Sequence, residues 1–144
     1  MKTIALSILL LYRLEMPEML TPVKIDWKRL TDVSFARKLN KEVSMYFLYP
    51  TFGPAVKSLE GKEVQIRGYM IPVDENIYFI SSQPMAACFF CGGSGPESII
   101  ELQLLNKRQR FKTDEIRNVR GKLRLNRADI AHLNYILEGV QIVD

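Results

Sequence analysis

The sequence predicts an all-β protein with one or two short helices: a five-stranded, OB-like Greek-key barrel preceded by an N-terminal extension. From residue 62 onward, apolar and polar residues alternate in short runs, and a period of two is typical of half-buried strands. The runs occur as three closely spaced strands, a longer connection and two more strands, as in an OB fold. Hydrophobic residues make up 47% of the 144 residues, which is enough for one domain with its own core.

The N-terminus has the character of a secretory leader, and we expect residues 1–20 to be a signal segment outside the fold. Lys2 gives a positive start, and residues 3–12 are an apolar run whose length suits a signal-peptide core of about 7–15 residues. A membrane-spanning helix needs about 20 residues. No A-x-A cleavage pattern follows, so a buried first strand or helix is the alternative. The expected location is periplasmic or secreted, with membrane association only through an uncleaved leader.

Residues 21–60 are expected to be an extension that packs on the barrel. Trp27 and Leu30 are its predicted first anchors in the core. Between residues 33 and 49 the apolar side chains fall largely at odd positions. This period of two favours a β-hairpin, turning at Asn40-Lys41, over a helix.

Residues 61–144 are predicted to form the barrel. Gly68 lies in the middle of the first strand, where a barrel strand must bend sharply, and a bulge is predicted at Gly139 in the last strand. The connection between the third and fourth strands is long enough for a short helix beginning at Thr113. The strands are predicted over residues 62–71, 76–82, 98–105, 119–126 and 135–143, with one helical turn ahead of them over residues 55–59.

Several short motifs occur from Asp26 onward, and the most specific is C-x-x-C-G-G-x-G-P-E-S at residues 88–98. Together they resemble an uncharacterised family of exported bacterial proteins with OB-like barrels, a domain of unknown function. The resemblance implies the barrel fold and export, and it brings no established activity. The other matching segments are Trp27 with Leu30, and residues 49–54, 59–64, 68–72 and 121–126.

Two cysteines at C-x-x-C spacing, Cys88 and Cys91, are the leading candidates for chemistry. They lie in the loop between the second and third predicted strands and are followed by Gly92, Gly93 and Gly95. Glycine permits left-handed backbone conformations, so we expect successive N–H groups of this loop to converge on a thiolate or an anion.

The first interpretation of the cysteine pair is a metal site. Two thiolates at this spacing suit a soft ion such as zinc or copper. A closed zinc site needs four ligands, and the sequence has no second C-x-x-C. Glu97, His132 or water would complete the site, or a homodimer would supply four thiolates. A lone histidine in a connector is, however, more often a surface or capping residue than a ligand.

Three other interpretations of the pair stay open. An exported compartment is oxidising, which favours a small structural disulfide. The spacing is also that of thiol oxidoreductases, although a predicted strand follows the pair instead of an activating helix. Lastly, two small apolar side chains would pack well beneath a tight loop. Haem attachment is excluded because residue 92 is glycine and the motif requires histidine there.

Phe89 and Phe90 lie between the cysteines. We expect one ring to pack inward and the other to be exposed, where it would mark a ligand or partner surface. Burial of both rings in a core is the alternative. We therefore count both residues, with the three glycines, as a candidate binding loop.

Residues 106–127 form a strongly basic segment, with nine Lys or Arg side chains against two acidic ones. Such a stripe suggests an anionic partner, although a solvated strand face is the commoner explanation. Nucleic acid would also require exposed aromatic rings for stacking, and it is not the expected partner of an exported protein. The candidate anion-binding residues are Arg120, Lys122 and Arg124, with Tyr69 and Tyr78 as the stacking platform.

No catalytic motif is found: the sequence has no G-x-S-x-G, P-loop, dinucleotide fingerprint or H-E-x-x-H. The leading hypothesis is an exported, non-enzymatic binding module that uses the Cys88/Cys91 loop, with a metal ion as its candidate ligand. A thiol-redox protein using the same cysteines is one alternative. The other is a nucleic-acid-binding OB protein that uses the basic segment.

Overall fold

A computed structural model describes residues 21–144, so the predicted leader lies outside the described residues. No helix in this range is long and apolar enough to cross a membrane. One α-helix, α1, spans Pro54–Lys57, and short 3-10 helices occur in the connections. The strands of residues 21–144 are β1 (Val23–Lys24), β2 (Val33–Asn40), β3 (Met45–Phe52), β4 (Glu63–Asp74), β5 (Ile77–Ser81), β6 (Ile99–Leu104), β7 (Ile116–Leu125) and β8 (Tyr135–Ile142).

Strands β4 to β8 form a closed barrel in the order β4-β5-β6-β8-β7, in which β7 also pairs with β4. The β6–β8 pair is parallel and the other barrel pairs are antiparallel. Strand β4 is long enough to pair first with β7 and then with β5, and it changes partner at Tyr69. The predicted fold class, an all-β five-stranded barrel with short helices, is confirmed.

The barrel core is built from the alternating apolar residues that the sequence shows. On β4, Val64, Ile66 and Met70 are buried, while Arg67 between them is exposed. A second, smaller cluster lies outside the main core and joins Ile71 to Cys88. The main cluster includes these residues from the facing strands: Tyr78, Ile80, Ile100, Leu102, Val119, Leu123, Leu125, Leu137 and Val140.

Gly68 lies where another part of the chain comes very close to β4. A Cβ atom on Gly68 would be 2.6 Å from the Ser81 carbonyl oxygen and 3.0 Å from the Trp27 ring. The Trp27 indole Nε1 donates a hydrogen bond of 2.7 Å to the Arg67 carbonyl. Gly68 adjoins the residue at which β4 changes partner, as predicted for a bend, and it also provides the space over which Trp27 packs.

The extension consists of β1, a 3-10 helix (Trp27–Thr31), the β2–β3 hairpin and α1. The hairpin prediction is confirmed: β2 ends at Asn40 and pairs with β3 from Met45. Leu30 is fully buried in the main core, as predicted for an anchor, and Trp27 packs against that core. Tyr135 of β8 donates a buried hydrogen bond of 2.6 Å to the Leu30 carbonyl, which ties the extension to the barrel.

The predicted helix beginning at Thr113 is wrong. Residues 105–115 form turns and extended segments instead. Asp114 has a φ of 63°, which a helix does not contain, and its N–H donates to the Met70 carbonyl at 2.9 Å. The Asp114 carboxylate accepts a 2.7 Å hydrogen bond from the Met85 N–H. Contacts with residues distant in sequence therefore fix this connection.

The predicted bulge in the last strand is confirmed. Gly139 has a φ of 61°, and the register of β8 against β7 shifts between Arg120 and Lys122. Two barrel strands are longer than the alternation predicted: the first continues to Asp74 and the fourth begins at Ile116. The fold therefore follows the sequence pattern closely on the strands and departs from it in the long connections.

Candidate functional site

The segment between β5 and β6, residues 82–98, carries the C-x-x-C motif and is called the cysteine loop below. It is built from three 3-10 helices, Met85–Ala87, Phe89–Cys91 and Pro96–Ser98. The Ser82 N–H donates to the Ser98 carbonyl at 3.0 Å and closes the base of the loop. The bond between the Met85 N–H and Asp114 holds its outer side, so the loop has a defined shape.

The two cysteines occupy different environments. Cys88 is fully buried in the small cluster with Ile71 and Ile99, whereas Cys91 is exposed. Loss of hydration, and secondarily the neighbouring Cys88, raise the pKa of the Cys91 thiol. An activated redox nucleophile requires a lowered pKa, so the site favours the protonated thiol at neutral pH.

The three loop glycines have separate roles. Only Gly92 has a positive φ, 75°, and the N–H groups of Gly92 and Gly93 donate to the Phe89 and Cys88 carbonyls. A Cβ on Gly93 would lie 2.5 Å from the Ala87 carbonyl oxygen, and one on Gly95 would meet the Glu97 carboxylate. These N–H groups close tight turns, and the predicted convergence on an anion is not seen for them.

Phe89 is partly buried and Phe90 is 56% exposed, which agrees with the expectation of one inward and one outward ring. The Phe90 ring stacks on Phe79 with centroids 5.5 Å apart. Both loop phenylalanines line a pocket of about 430 Å³ between the cysteine loop, β3 and the connection after β7. We call it the aromatic pocket; it is lined by residues 46–49, Phe89, Phe90, Pro96, residues 127–130 and residues 132–134.

Glu97 and His132 do not join the cysteines in a ligand cluster. Within residues 21–144, no three or more His, Cys, Asp or Glu side chains gather in a way that would hold a metal ion. His132 Nδ1 lies 2.8 Å from Glu101 Oε1, and the second oxygen of Glu101 accepts the Leu133 N–H at 3.1 Å. His132 contacts Glu101 instead of the cysteines, and it also lines the aromatic pocket.

Much of the basic segment is paired with acidic or amide groups from other parts of the chain. Arg124 contacts Glu138 at 2.7 Å, and the Arg120 guanidinium donates to the Gln141 side chain. Lys122 lies on the same exposed strand face. The predicted stacking platform is incomplete, since Tyr78 is buried in the core. The segment resembles an outward strand face more than a groove for a polyanion.

Sequence reasoning identified the cysteine loop and His132 but missed the wall of the aromatic pocket that β3 forms. Tyr46 and Leu48 fall within the predicted hairpin without being predicted as site residues, and they are 58% and 44% exposed at the pocket. Arg127 was counted as part of the basic stripe, yet it makes two hydrogen bonds of 2.9 Å to Glu60. The signal that was available is the apolar character of β3 close to the hairpin turn.

The fold and site define a class of protein: a small closed β-barrel with a hairpin arm and an aromatic pocket beside a dithiol loop. The structure is similar to the crystal structure of a DUF3299 family protein from Pseudomonas aeruginosa. The TM-score is 0.54 and the sequences are 13% identical, over 86% of this chain and 97% of that chain. This likeness concerns the fold. No protein-family model and no curated protein matches the sequence.

Proposed function

We propose that the protein is an exported, non-enzymatic binding module and that the aromatic pocket is its binding site. The observation that carries this proposal is a concave pocket of about 430 Å³, walled by aromatic rings from two separate segments. Ligand sites are typically apolar clefts of about 300–1,000 Å³. The barrel carries two walls of the pocket, the cysteine loop between β5 and β6 and the connection after β7, and Phe90 is presented to solvent at the edge of the pocket.

The polar groups around the pocket support binding more than catalysis. Arg127 is held by Glu60, and His132 by Glu101. The hydrogen bond from Arg127 is the main cause of the lowered pKa of Glu60. The thiol that is accessible in the neighbouring loop, Cys91, has a raised pKa. These features supply shape and apolar surface but no activated nucleophile.

We expect Phe90→Ala to weaken binding of an apolar probe to the pocket. Burying a phenylalanine ring against a ligand contributes about 1.5–3 kcal/mol, so the affinity should fall about tenfold or more. Titration with the neutral dye Nile red, followed by fluorescence, measures this. Leu105→Ala is the matched control, because Leu105 is 64% exposed and lies outside the aromatic pocket. Equal dye affinity for both variants would contradict the proposed site.

A soft metal ion, zinc or copper, is the second candidate ligand, and the C-x-x-C spacing of Cys88 and Cys91 favours it. Both cysteines are free, Cys88 in a buried and Cys91 in an exposed position. Since residues 21–144 bring no third ligand to them, a tetrahedral site would require the thiolates of a second copy. The raised pKa of Cys91 gives less support to a thiol-redox protein. The ion pair of Arg124 with Glu138 in the basic segment likewise gives less support to nucleic-acid binding.

Intact mass and metal content of protein isolated from its own host test export and metal binding together. Removal of the leader supports export, and a mass that retains residues 1–20 contradicts it. One metal ion per two chains, lost in Cys91→Ser, supports the shared thiolate site. A metal-free protein that is lighter by two hydrogen atoms until it is reduced would show a Cys88–Cys91 disulfide and contradict metal binding.

A further inference from the structure

The outer edge of β3 faces the aromatic pocket. Strand β3 belongs to a two-stranded sheet in which β2 is its partner. Four successive residues, 46–49, line the pocket, and no residue of β2 does. Because successive side chains of a strand point to opposite faces, a cavity that touches four residues in a row lies along the edge of the strand.

This edge carries unpaired backbone groups. In a two-stranded antiparallel sheet, alternate residues of each strand point their N–H and C=O groups away from the partner strand. Within residues 21–144, no other segment makes backbone hydrogen bonds along residues 45–49. The pocket therefore has a row of backbone donors and acceptors on one side.

Three polar side chains that line the pocket are already engaged by other groups of the chain. Arg127 is engaged by Glu60, and the Arg127 guanidinium also lies 5.5 Å from the centre of the Phe52 ring. His132 contacts Glu101, and the Tyr49 hydroxyl accepts a 3.1 Å bond from the Asn40 side chain. Apart from Arg127, Asp129 and His132, the lining is mostly apolar and aromatic. A complementary ligand is therefore apolar at its side chains and rich in backbone amides.

From this edge we propose that the aromatic pocket binds an extended peptide segment of a partner protein, which pairs with β3 as a third strand. This inference rests on the proposed function and specifies its ligand. Backbone hydrogen bonds to β3 provide affinity, and apolar side chains at alternate positions enter the pocket. A second copy of this chain is the alternative occupant, and amide hydrogen exchange distinguishes it from a peptide.

Binding of synthetic peptides to the full chain tests the proposal. The probe is a pool of capped ten-residue peptides in which Val, Leu or Phe alternates with Thr or Ser. Two further pools carry N-methyl groups on the amides of the odd or of the even positions. A paired strand uses the amides of one alternate set only, so one methylated pool should lose at least tenfold in affinity and the other should bind as the parent does.

Amide hydrogen exchange provides the structural measurement. Bound peptide should slow exchange at alternate residues within 46–49 and leave the exposed tip of the hairpin, residues 41–44, unchanged. Equal binding of both methylated pools, no binding by any pool, or unchanged exchange would overturn the proposal. Slowed exchange that depends on protein concentration without peptide would assign the edge to a second copy. Nile red binding that survives while all peptides fail would preserve the proposed function alone.

Discussion

Tyr135→Ala is expected to lower the free energy of unfolding by about 3–5 kcal/mol, the range for removing a buried aromatic ring. Tyr135 is completely buried and packs edge-on against Phe52, with centroids 5.5 Å apart. Its hydroxyl also binds the Leu30 carbonyl. The substitution thus removes contacts on both sides of the junction between extension and barrel. Urea unfolding followed by circular dichroism measures the change.

Tyr135→Phe separates the hydroxyl from the ring. The Leu30 carbonyl would lose its donor in a buried position, which costs about 1–3 kcal/mol. Burial, and then the negative charge of Glu97, raise the pKa of Tyr135. The folded state therefore holds this proton more tightly than the unfolded state does. The contribution of the protonated Tyr135 hydroxyl to the free energy of unfolding is complete below the ordinary tyrosine pKa of about 10. This contribution is lost as the pH rises above that value.

The phenylalanine variant should lack that alkaline loss of stability. Unfolding curves of the two proteins at neutral pH and above pH 10 make the comparison. A variant as stable as the parent at neutral pH, or one with the same alkaline loss of stability, would contradict the role assigned to the hydroxyl.

Gly68→Ala has the second largest expected effect, a destabilisation of about 1–3 kcal/mol, as for overpacking of a core. The added Cβ would lie 2.6 Å from a backbone oxygen of β5 and 2.8 Å from the Ile80 side chain. Either β4 and β5 separate or Trp27 leaves its place above β4. Because Trp27 is the single tryptophan of the chain, its fluorescence reports the displacement while thermal unfolding reports the stability.

Gly61→Ala is the matched control for Gly68→Ala. Gly61 has a φ of 77° and open space around its Cβ position, so this substitution costs backbone strain without a steric contact, about 1 kcal/mol. Its tryptophan fluorescence should not change. An equal fluorescence change in both variants would show that the close approach at Gly68 does not position Trp27.

The sequence predicts most barrel strands well because apolar and polar residues alternate along them, although β5 is buried on both faces from Tyr78 to Ser81. Val64, Ile66 and Met70 alternate with polar residues, and that period is a local property of the chain. The connection around Asp114 could not be predicted in the same way. Its left-handed backbone is held by bonds to Met70 and Met85, which lie on other elements and have no signal near Asp114.

In the candidate site, too, local features could be predicted from the sequence and contacts between distant segments could not. The C-x-x-C motif identifies the cysteine loop, and the two phenylalanines between the cysteines suggest one exposed ring, which the structure shows to be Phe90. The pocket itself depends on the approach of β3 and the connection after β7, which only the folded chain brings together. Arg124 likewise looks like a free cation in sequence, and its partner Glu138 becomes visible only when β7 and β8 pair.

The parallel pairing of β6 with β8 has a consequence for how fast the protein folds. This pair joins Glu101 to Ile136, so its first contact must close a long loop, whereas the β2–β3 hairpin closes over a few residues. Loop closure has an entropic cost that grows with loop length, and chains dominated by distant pairings fold in milliseconds to seconds. The β2–β3 hairpin, with the unpaired edge of β3, should thus form well before the barrel closes. During that interval the nascent edge is accessible to neighbouring chains, so refolding yield should decrease as protein concentration increases.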